Sequence, residues 1–340
     1  MMKPFLLLLS ATLFLSSCDN DLDLTAEYKD ITLIYGMLDT REDTQWVRVQ
    51  KAFLGDGDAL VYASIPDSNY YPSNAIQVVM RRRNSSGAIQ DTAVLPQTAY
   101  HKPKDDGVFF TTPNYLYPYT KTIVDNSIYE VVLRNLNTGK VVSAQTRIAR
   151  PPLISYPPNS STILNFEANS ALPGANPSIN FTWLKSDNVV AYQYAMIFHY
   201  EEFPTANPTQ ISQKSFRVVS SVFNPFIEEP GANEIQYPVS KREFYNFVVA
   251  NIAENPALSR KFLKLDITVF AATKDFYDFY EINRPSTSIV QKTSDFTNIT
   301  NGLGLFASRV YSTVPNINLH SNTLDSLRAG QFTSQLNFVN

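Results

Sequence analysis

Residues 128–148 read IYEVVLRNLNTGKVVSAQTRI, and this stretch decides the fold class of the chain. Two runs with alternating apolar residues, 128–134 and 140–148, flank the turn-forming residues 135–139. Alternation with a period of two is typical of half-buried β-strands, and Asn and Gly tolerate the left-handed backbone of a tight reversal. The stretch therefore predicts a β-hairpin.

The same period-two pattern recurs along most of the chain. Before the hairpin it predicts strands at 31–38, 44–53, 74–83 and 108–111. With the two strands of the hairpin, this gives six strands in about 120 residues, a density typical of a β-sandwich. We therefore predict a mainly β protein with two β-sandwich-like domains, of the immunoglobulin/fibronectin or transthyretin type. The second is expected to carry one or two helices and a long insertion.

The Pro-rich segment 150–161 is the predicted boundary between the two domains, because proline removes a ladder donor and stiffens the chain. We expect an N-terminal β-sandwich at 30–149, a C-terminal β domain at 162–315 and a tail at 316–340. Residues 201–239 are interpreted as an insertion or a long hairpin with a strand at 216–223.

Two helices are predicted in the C-terminal domain. Ser240 and Glu243 form an S-x-x-E capping box that begins a helix near 241–254, and an aromatic-rich helix follows near 274–282.

The first residues have the layout of a secretory signal, with Lys3 ahead of an apolar run and small residues before Cys18. The run is too short for a permanent transmembrane helix. The string LSSC at 15–18 resembles the lipobox of bacterial lipoproteins, in which the cysteine becomes the acylated first residue. We expect a signal peptide at 1–17 and a lipid attached at Cys18, which is the single cysteine of 340 residues.

The predicted tether, residues 18–29, is acidic at its start. Asp19, Asp21 and Asp23 have the spacing of a calcium loop, but Leu24 occupies the place where that loop needs glycine. These acids resemble instead the signal that sends Bacteroidota lipoproteins to the outer face of the outer membrane. The expected location is therefore the cell surface, with the outer-membrane lipid as a partner through the acylated cysteine.

The composition argues against several classes of function. One cysteine excludes disulfides and cysteine-based zinc sites, and a net charge of −3 gives no footprint for nucleic acid. His101, His199 and His320 are too dispersed for a ligand pair, and the G-x-G-x-x-A string at 302–307 lacks the strand-to-helix setting of a dinucleotide site. We interpret that string as a strand entry with close backbone packing, and we predict no cofactor, no metal and no enzymatic activity.

Two aromatic groups are candidates for a binding surface. Exposed tyrosines are good contact residues, because a large rigid face costs little side-chain entropy. The alternative is that they pack on their own sandwich. The candidates are Tyr70, Tyr71, Tyr115, Tyr117 and Tyr119.

The tripeptides 91–93 and 325–327 resemble the short O-glycosylation motif of Bacteroidota. They make Thr92 and Ser326 candidate acceptors.

Several of these elements together resemble a Bacteroidota lipoprotein family, the domain-of-unknown-function family numbered 4249. The matching segments are the acidic tether, the strand ITLIYGMLD at 31–39, the hairpin at 129–140, ATKDFYDF at 272–279 and NITNGLGLF at 298–306. The chain departs from the family pattern in its insertion at 201–239 and its tail beyond Val314. No catalytic residue is established for the family, so none is carried over.

The resemblance implies an accessory surface protein, since family members are often associated with TonB-dependent outer-membrane transporters. We expect a non-enzymatic surface lipoprotein bound to an outer-membrane barrel. The alternatives are a binding module for glycan or peptide ligands and a subunit of another outer-membrane assembly or secretion machine.

Overall fold

In the computed structural model of the chain, the described residues are 31–52, 58–168, 175–225, 231, 233–284 and 296–340. The protein is mainly β, as predicted. Its strands are β1 Thr32–Leu38, β2 Gln45–Lys51, β3 Ile76–Arg83, β4 Ile89–Leu95, β5 Thr98–Ala99, β6 Tyr115–Tyr119, β7 Ile128–Asn135, β8 Val141–Arg147, β9 Ile154–Tyr156, β10 Ile163–Leu164, β11 Ser178–Leu184, β12 Ala191–Pro204, β13 Ser212–Val219, β14 Glu234–Ser240, β15 Leu258–Ala272, β16 Gly302–Leu319 and β17 Phe338–Val339. The helices are α1 Ala59–Ser64, α2 Pro66–Asn69, α3 Lys241–Asn251, α4 Lys274–Asn283 and α5 Ser321–Ala329, followed by a 3-10 turn at Ser334–Leu336.

The N-terminal sandwich packs the sheet β4-β3-β7-β8 against β1, β2, β6 and β5. The predicted hairpin is confirmed: β7 and β8 pair antiparallel, with Leu133 opposite Val142, and Gly139 in the turn has a φ of +74°. In β1, β2 and β8 alternate residues are buried, as the period-two pattern requires. The largest inward side chains are those of Tyr129, Tyr117, Tyr119 and Phe306.

The C-terminal sandwich packs β13, β12, β15 and part of β16 against the sheet β14-β11-β9. Helix α3 covers this core with Phe244, Tyr245 and Val248. The predicted capping box is present: the Ser240 amide donates to Glu243 Oε2 at 2.8 Å, and the Glu243 amide donates to Ser240 Oγ at 3.3 Å. Two orphan amides at the helix start are thereby satisfied.

Strand β16 belongs to both sandwiches. Its first seven residues pair in parallel with β1, from Thr32 opposite Gly302 to Leu38 opposite Ser308, and the residues after them pair antiparallel with β15. A single ten-stranded sheet therefore runs through the two halves. The predicted C-terminal domain at 162–315 needs correction here, because Ile299 and Phe306 are buried in the N-terminal core.

Two glycines allow β16 to approach β1. A Cβ at Gly302 would lie 2.7 Å from the Thr32 carbonyl oxygen, and one at Gly304, whose φ is +121°, would lie 2.1 Å from the Ile34 carbonyl oxygen. Only residues without a side chain fit there. The interpretation of the G-x-G string as a strand entry with close backbone packing is confirmed.

Three other predicted segments differ from the structure. The linker at 150–161 contains β9, which pairs with β11. The tail at 316–340 is not peripheral, because Leu327, Leu336 and Phe338 are buried in the C-terminal core. Residues 108–111 form no strand, because the backbone there turns within the loop between β5 and β6.

The segment 201–239 was predicted to be either an insertion or a long hairpin. The structure has the long hairpin, in which the end of β12 pairs antiparallel with β13.

Candidate functional site

The predicted lipid site lies outside the described residues, as do Asp19, Asp21 and Asp23. The described chain begins at Ile31, whose carbonyl accepts a hydrogen bond from the Ala52 amide at 2.8 Å. Thr32 Oγ1 lies 2.9 Å from the Tyr71 hydroxyl. We call this end of the N-terminal sandwich, where β1 begins, the β1 pole. Because β1 and β16 run in parallel away from it, the C-terminal sandwich follows at the opposite end.

The predicted tyrosine surface is wrong for four of its five residues. Tyr70, Tyr71, Tyr117 and Tyr119 are each at most 7% exposed, and Tyr115 is half-buried. They pack within their own sandwich, which was the alternative interpretation. The Tyr70 hydroxyl accepts a hydrogen bond from the Tyr115 amide at 3.2 Å. Burial raises the pKa of the Tyr117 hydroxyl to about 12, as expected for a phenol removed from water.

The two candidate glycosylation sites have different surroundings. Thr92 is exposed on β4 opposite Arg81, and the neighbouring Asp91 forms an ion pair of 2.8 Å with Lys121. Ser326 is half-buried within α5, and its carbonyl accepts a hydrogen bond from Thr333 Oγ1. Of the two side chains, that of Thr92 is therefore the more accessible.

The three histidines lie on different elements and each has a local partner. The His101 ring is tilted against the Tyr100 ring with centroids 4.4 Å apart, His199 Nε2 lies 2.9 Å from Asp266 Oδ2, and His320 accepts a hydrogen bond from the Asn322 amide. Within the ranges described above, no three His, Cys, Asp or Glu side chains are grouped to hold a metal ion. No helix in this part of the chain is long and apolar enough to cross a bilayer.

A cleft of about 980 Å³ lies between the two sandwiches, and we call it the inter-sandwich cleft. One wall is β8, where Ser143 pairs with Thr300, with N···O distances of 3.2 and 2.8 Å. On the side of β8 where Ser143 pairs with Thr300, the backbone of Gln145 pairs with no strand of the described residues. The facing wall consists of residues 185–190 and the start of α4.

Asp275 is the acid with a perturbed pKa in this cleft. Burial raises the pKa of its carboxyl above the ordinary value, and the nearby Asp278 carboxylate acts in the same direction. Lys274 and a hydrogen bond with Asn298 oppose these effects and are outweighed. The cleft thus presents mixed polar groups, which suit a polar ligand.

The raised pKa of Asp275 predicts a pH-dependent stability. The Asp275 carboxyl holds its proton more tightly in the folded protein than in the unfolded chain. Its contribution to the free energy of unfolding is therefore fully present below pH 3.8, and it is lost as the pH rises through the pKa of the folded state. We expect Asp275→Asn to raise the Tm at pH 7, with a gain that shrinks toward pH 4. Calorimetry across this range measures it, with Asp187→Asn, at a 72% exposed side chain, as the control. A gain that persists at low pH would contradict the explanation.

A second concavity, of about 300 Å³, lies on the outer face of the N-terminal sandwich. We call it the outer groove. Its lining is mostly apolar and comes from β1, β2, β6 and β16; its members are Tyr35, Gly36, Met37, Trp46, Arg48, Leu116 and Leu305. Tyr35 is 41% exposed and lies directly opposite Arg48 and Leu305 on the neighbouring strands. An exposed aromatic beside apolar neighbours is typical of an interaction surface.

The lining of the outer groove includes one cation, Arg48. The neighbouring Lys104 Nζ is buried 3.3 Å from the centre of the Phe110 ring, and burial together with the Arg48 guanidinium lowers the pKa of this amine to about 8. No carboxylate of the described chain forms an ion pair with either cation. Arg48 therefore favours an acidic group on any partner that covers the groove.

Sequence reasoning missed the outer groove, although its signal was present. Trp46 and Arg48 alternate with the buried Val47 and Val49, so the sequence indicates that Trp46 and Arg48 share the opposite face of β2. Both faces of this sheet carry apolar residues, however, and periodicity alone does not tell which face the second sheet covers.

Comparisons with known proteins leave the family of the chain open. No protein-family model matches, and no curated protein matches. One solved structure to which the chain is similar is trypsin-activated alpha-2-macroglobulin from Escherichia coli, at 10% identity and a TM-score of 0.18. The match covers 73% of this chain and 15% of that one. A likeness of this size carries no argument.

Proposed function

We propose that the protein is a non-enzymatic surface lipoprotein that acts as an accessory subunit of an outer-membrane barrel complex, with a TonB-dependent transporter as the expected partner. The outer groove is the observation that carries the proposal, because it offers an exposed apolar contact surface with the cation Arg48 in its lining. The lipobox-like string ending at Cys18 supports the location. A lipid anchor confines both proteins to one membrane, so that even a modest interface is occupied.

The chain geometry is compatible with contact at the membrane. Thirteen residues from 19 to 31 can span at most about 45 Å when fully extended. The start of β1 therefore stays within about 45 Å of an anchored Cys18. Because the outer groove lies on β1 itself, the tether keeps it close to the extracellular loops of a barrel.

A charge placed in the outer groove tests the proposal. We expect Tyr35→Lys to reduce recovery of a barrel protein in mild-detergent co-purification roughly tenfold or more, since burying an unpaired ammonium opposite Arg48 costs more than about 1.4 kcal/mol. Val94→Lys is the matched control, because Val94 is 63% exposed on β4 of the other sheet. Equal recovery with both variants, or recovery of the lipoprotein alone from cells with the wild-type chain, would count against the proposal.

The inter-sandwich cleft favours a second candidate, a surface module that binds a glycan or an extended peptide. Its volume and its polar lining suit such ligands, and the unpaired side of Gln145 can accept one rung of a peptide strand. Screening the purified protein against glycan and peptide arrays tests it, with Lys274→Glu as the variant. Binding that is unchanged in the variant would place the ligand elsewhere.

A further inference from the structure

The β1 pole carries a group of exposed apolar side chains that the packing of the fold does not use. Leu60 and Val61 in α1, Val108 and Phe109 before β6, and Leu136 in the β7–β8 turn are each between 51% and 60% exposed. Large apolar side chains scattered singly over a surface need no explanation, but five on adjoining loops do.

These loops meet at residues 70–75. Helices α1 and α2 lead directly into Tyr70, whose ring lies 5.4 Å from that of Phe110. The Leu136 amide donates to the Ala75 carbonyl at 2.8 Å. Each of the three loops is thus fixed to one short segment of backbone.

The same segment holds the entry of the tether. Tyr71 contacts Thr32 at the start of β1, only fourteen positions after Cys18 by the numbering of the chain. The chain that would carry the lipid therefore enters the sandwich beside the apolar loops. At the opposite end the sandwich continues through β16 into the C-terminal sandwich, so that end does not face the anchor.

We propose that the β1 pole rests on the lipid surface into which the acyl chains of Cys18 insert, with Leu60, Val61, Val108, Phe109 and Leu136 in contact with the headgroup and upper acyl region. The inference rests on the proposed lipid anchor and adds an orientation to it. The N-terminal sandwich lies against the membrane, and the C-terminal sandwich stands away from it. Loops of this composition gain free energy at a lipid interface by removing apolar area from water.

Spin labelling of the acylated full-length protein in vesicles tests the inference. Because Cys18 is the single cysteine and its sulfur would be blocked by lipid, an introduced cysteine is the one free thiol. The labelled positions are Phe109→Cys and Leu136→Cys at the β1 pole. The matched control is Ile211→Cys, which is 53% exposed at the far end of the β12–β13 hairpin.

The vesicles contain phosphatidylethanolamine and phosphatidylglycerol, and power saturation compares collisions with lipid-soluble oxygen and with a water-soluble nickel complex. We expect the ratio of oxygen to nickel collisions to be several-fold higher at positions 109 and 136 than at 211. Equal ratios at the three positions would overturn the inference, as would labels at 109 and 136 shielded from both reagents, which indicates a second protein copy on the pole.

Mass spectrometry of the same samples separates this inference from the proposal on which it rests. An unmodified thiol at Cys18 would remove the anchor and with it the proposed function. An acylated Cys18 together with water-exposed labels at 109 and 136 would leave the anchor standing and overturn the orientation alone.

Discussion

Replacing Gly304 with alanine is expected to lower the free energy of unfolding of the N-terminal sandwich by on the order of 4 kcal/mol, from backbone strain together with overpacking. The backbone at Gly304 has a φ of +121°, and an added Cβ would lie 2.1 Å from the Ile34 carbonyl oxygen. The neighbour is main chain, which cannot rotate away. The parallel pairing of β1 with β16 must therefore open at its centre.

Gly139→Ala is the matched control for this prediction. Its φ of +74° is also left-handed, but nothing lies within 4 Å of an added Cβ. It should cost only about 1 to 2 kcal/mol. Trp46 in the N-terminal sandwich and Trp183 in the C-terminal core allow urea unfolding of each half to be followed separately in single-tryptophan variants. Equal decreases in the free energy of unfolding for Gly304→Ala and Gly139→Ala would show that the close approach of β1 to Gly304 adds nothing to the cost of the substitution.

Replacing Arg260 with methionine is expected to destabilise the C-terminal sandwich by about 3 to 5 kcal/mol, the usual cost of removing one partner from a buried ion pair. The Arg260 side chain is 2% exposed and donates to Glu202 Oε2 at 3.1 Å. It also donates to the Leu336 carbonyl at 2.7 Å and to the Ala253 carbonyl at 2.8 Å. Methionine fills similar space, but it leaves three acceptors without this donor.

Lys261→Met is the control for Arg260, because the adjacent lysine is exposed on the same strand. A change there should stay within about 0.5 kcal/mol. The difference in urea midpoint between the two variants, followed by Trp183 fluorescence, measures the contribution of the buried guanidinium. A small difference would mean that water reaches the Leu336 and Ala253 carbonyls and replaces the lost donor.

Local signals in the sequence predicted the local elements correctly. The β7–β8 hairpin and the capping box of α3 each depend on residues a few positions apart, whose interactions are nearly independent of the rest of the fold. The pairing of β16 with β1 joins residues about 270 positions apart. The period-two pattern of a strand does not determine which other strand it pairs with. The sheet that joins β1 to β16 could therefore not be predicted from the sequence.

The tyrosine surface failed for a related reason. Tyr117 and Tyr119 alternate as a half-buried strand should, but alternation assigns residues to two faces without telling which face meets the core. Leu116, which precedes Tyr117, is also buried, and the loop before β6 places Tyr100 against Trp46. The resulting outer groove depends on where that loop folds back, which is a tertiary contact. The anchor at Cys18 and the barrel partner stay predictions.

The shared strand has a mechanical consequence. If the tether holds the start of β1 at a membrane while a partner draws the C-terminal sandwich outward, the two ends of the load are the beginning of β1 and the far end of β16. Since these strands run in the same direction with seven residues in register, the force acts along them, and their hydrogen bonds must break together rather than one by one. Such a shear joint resists traction far better than a peeling one, so it would protect the fold under a load applied in this way.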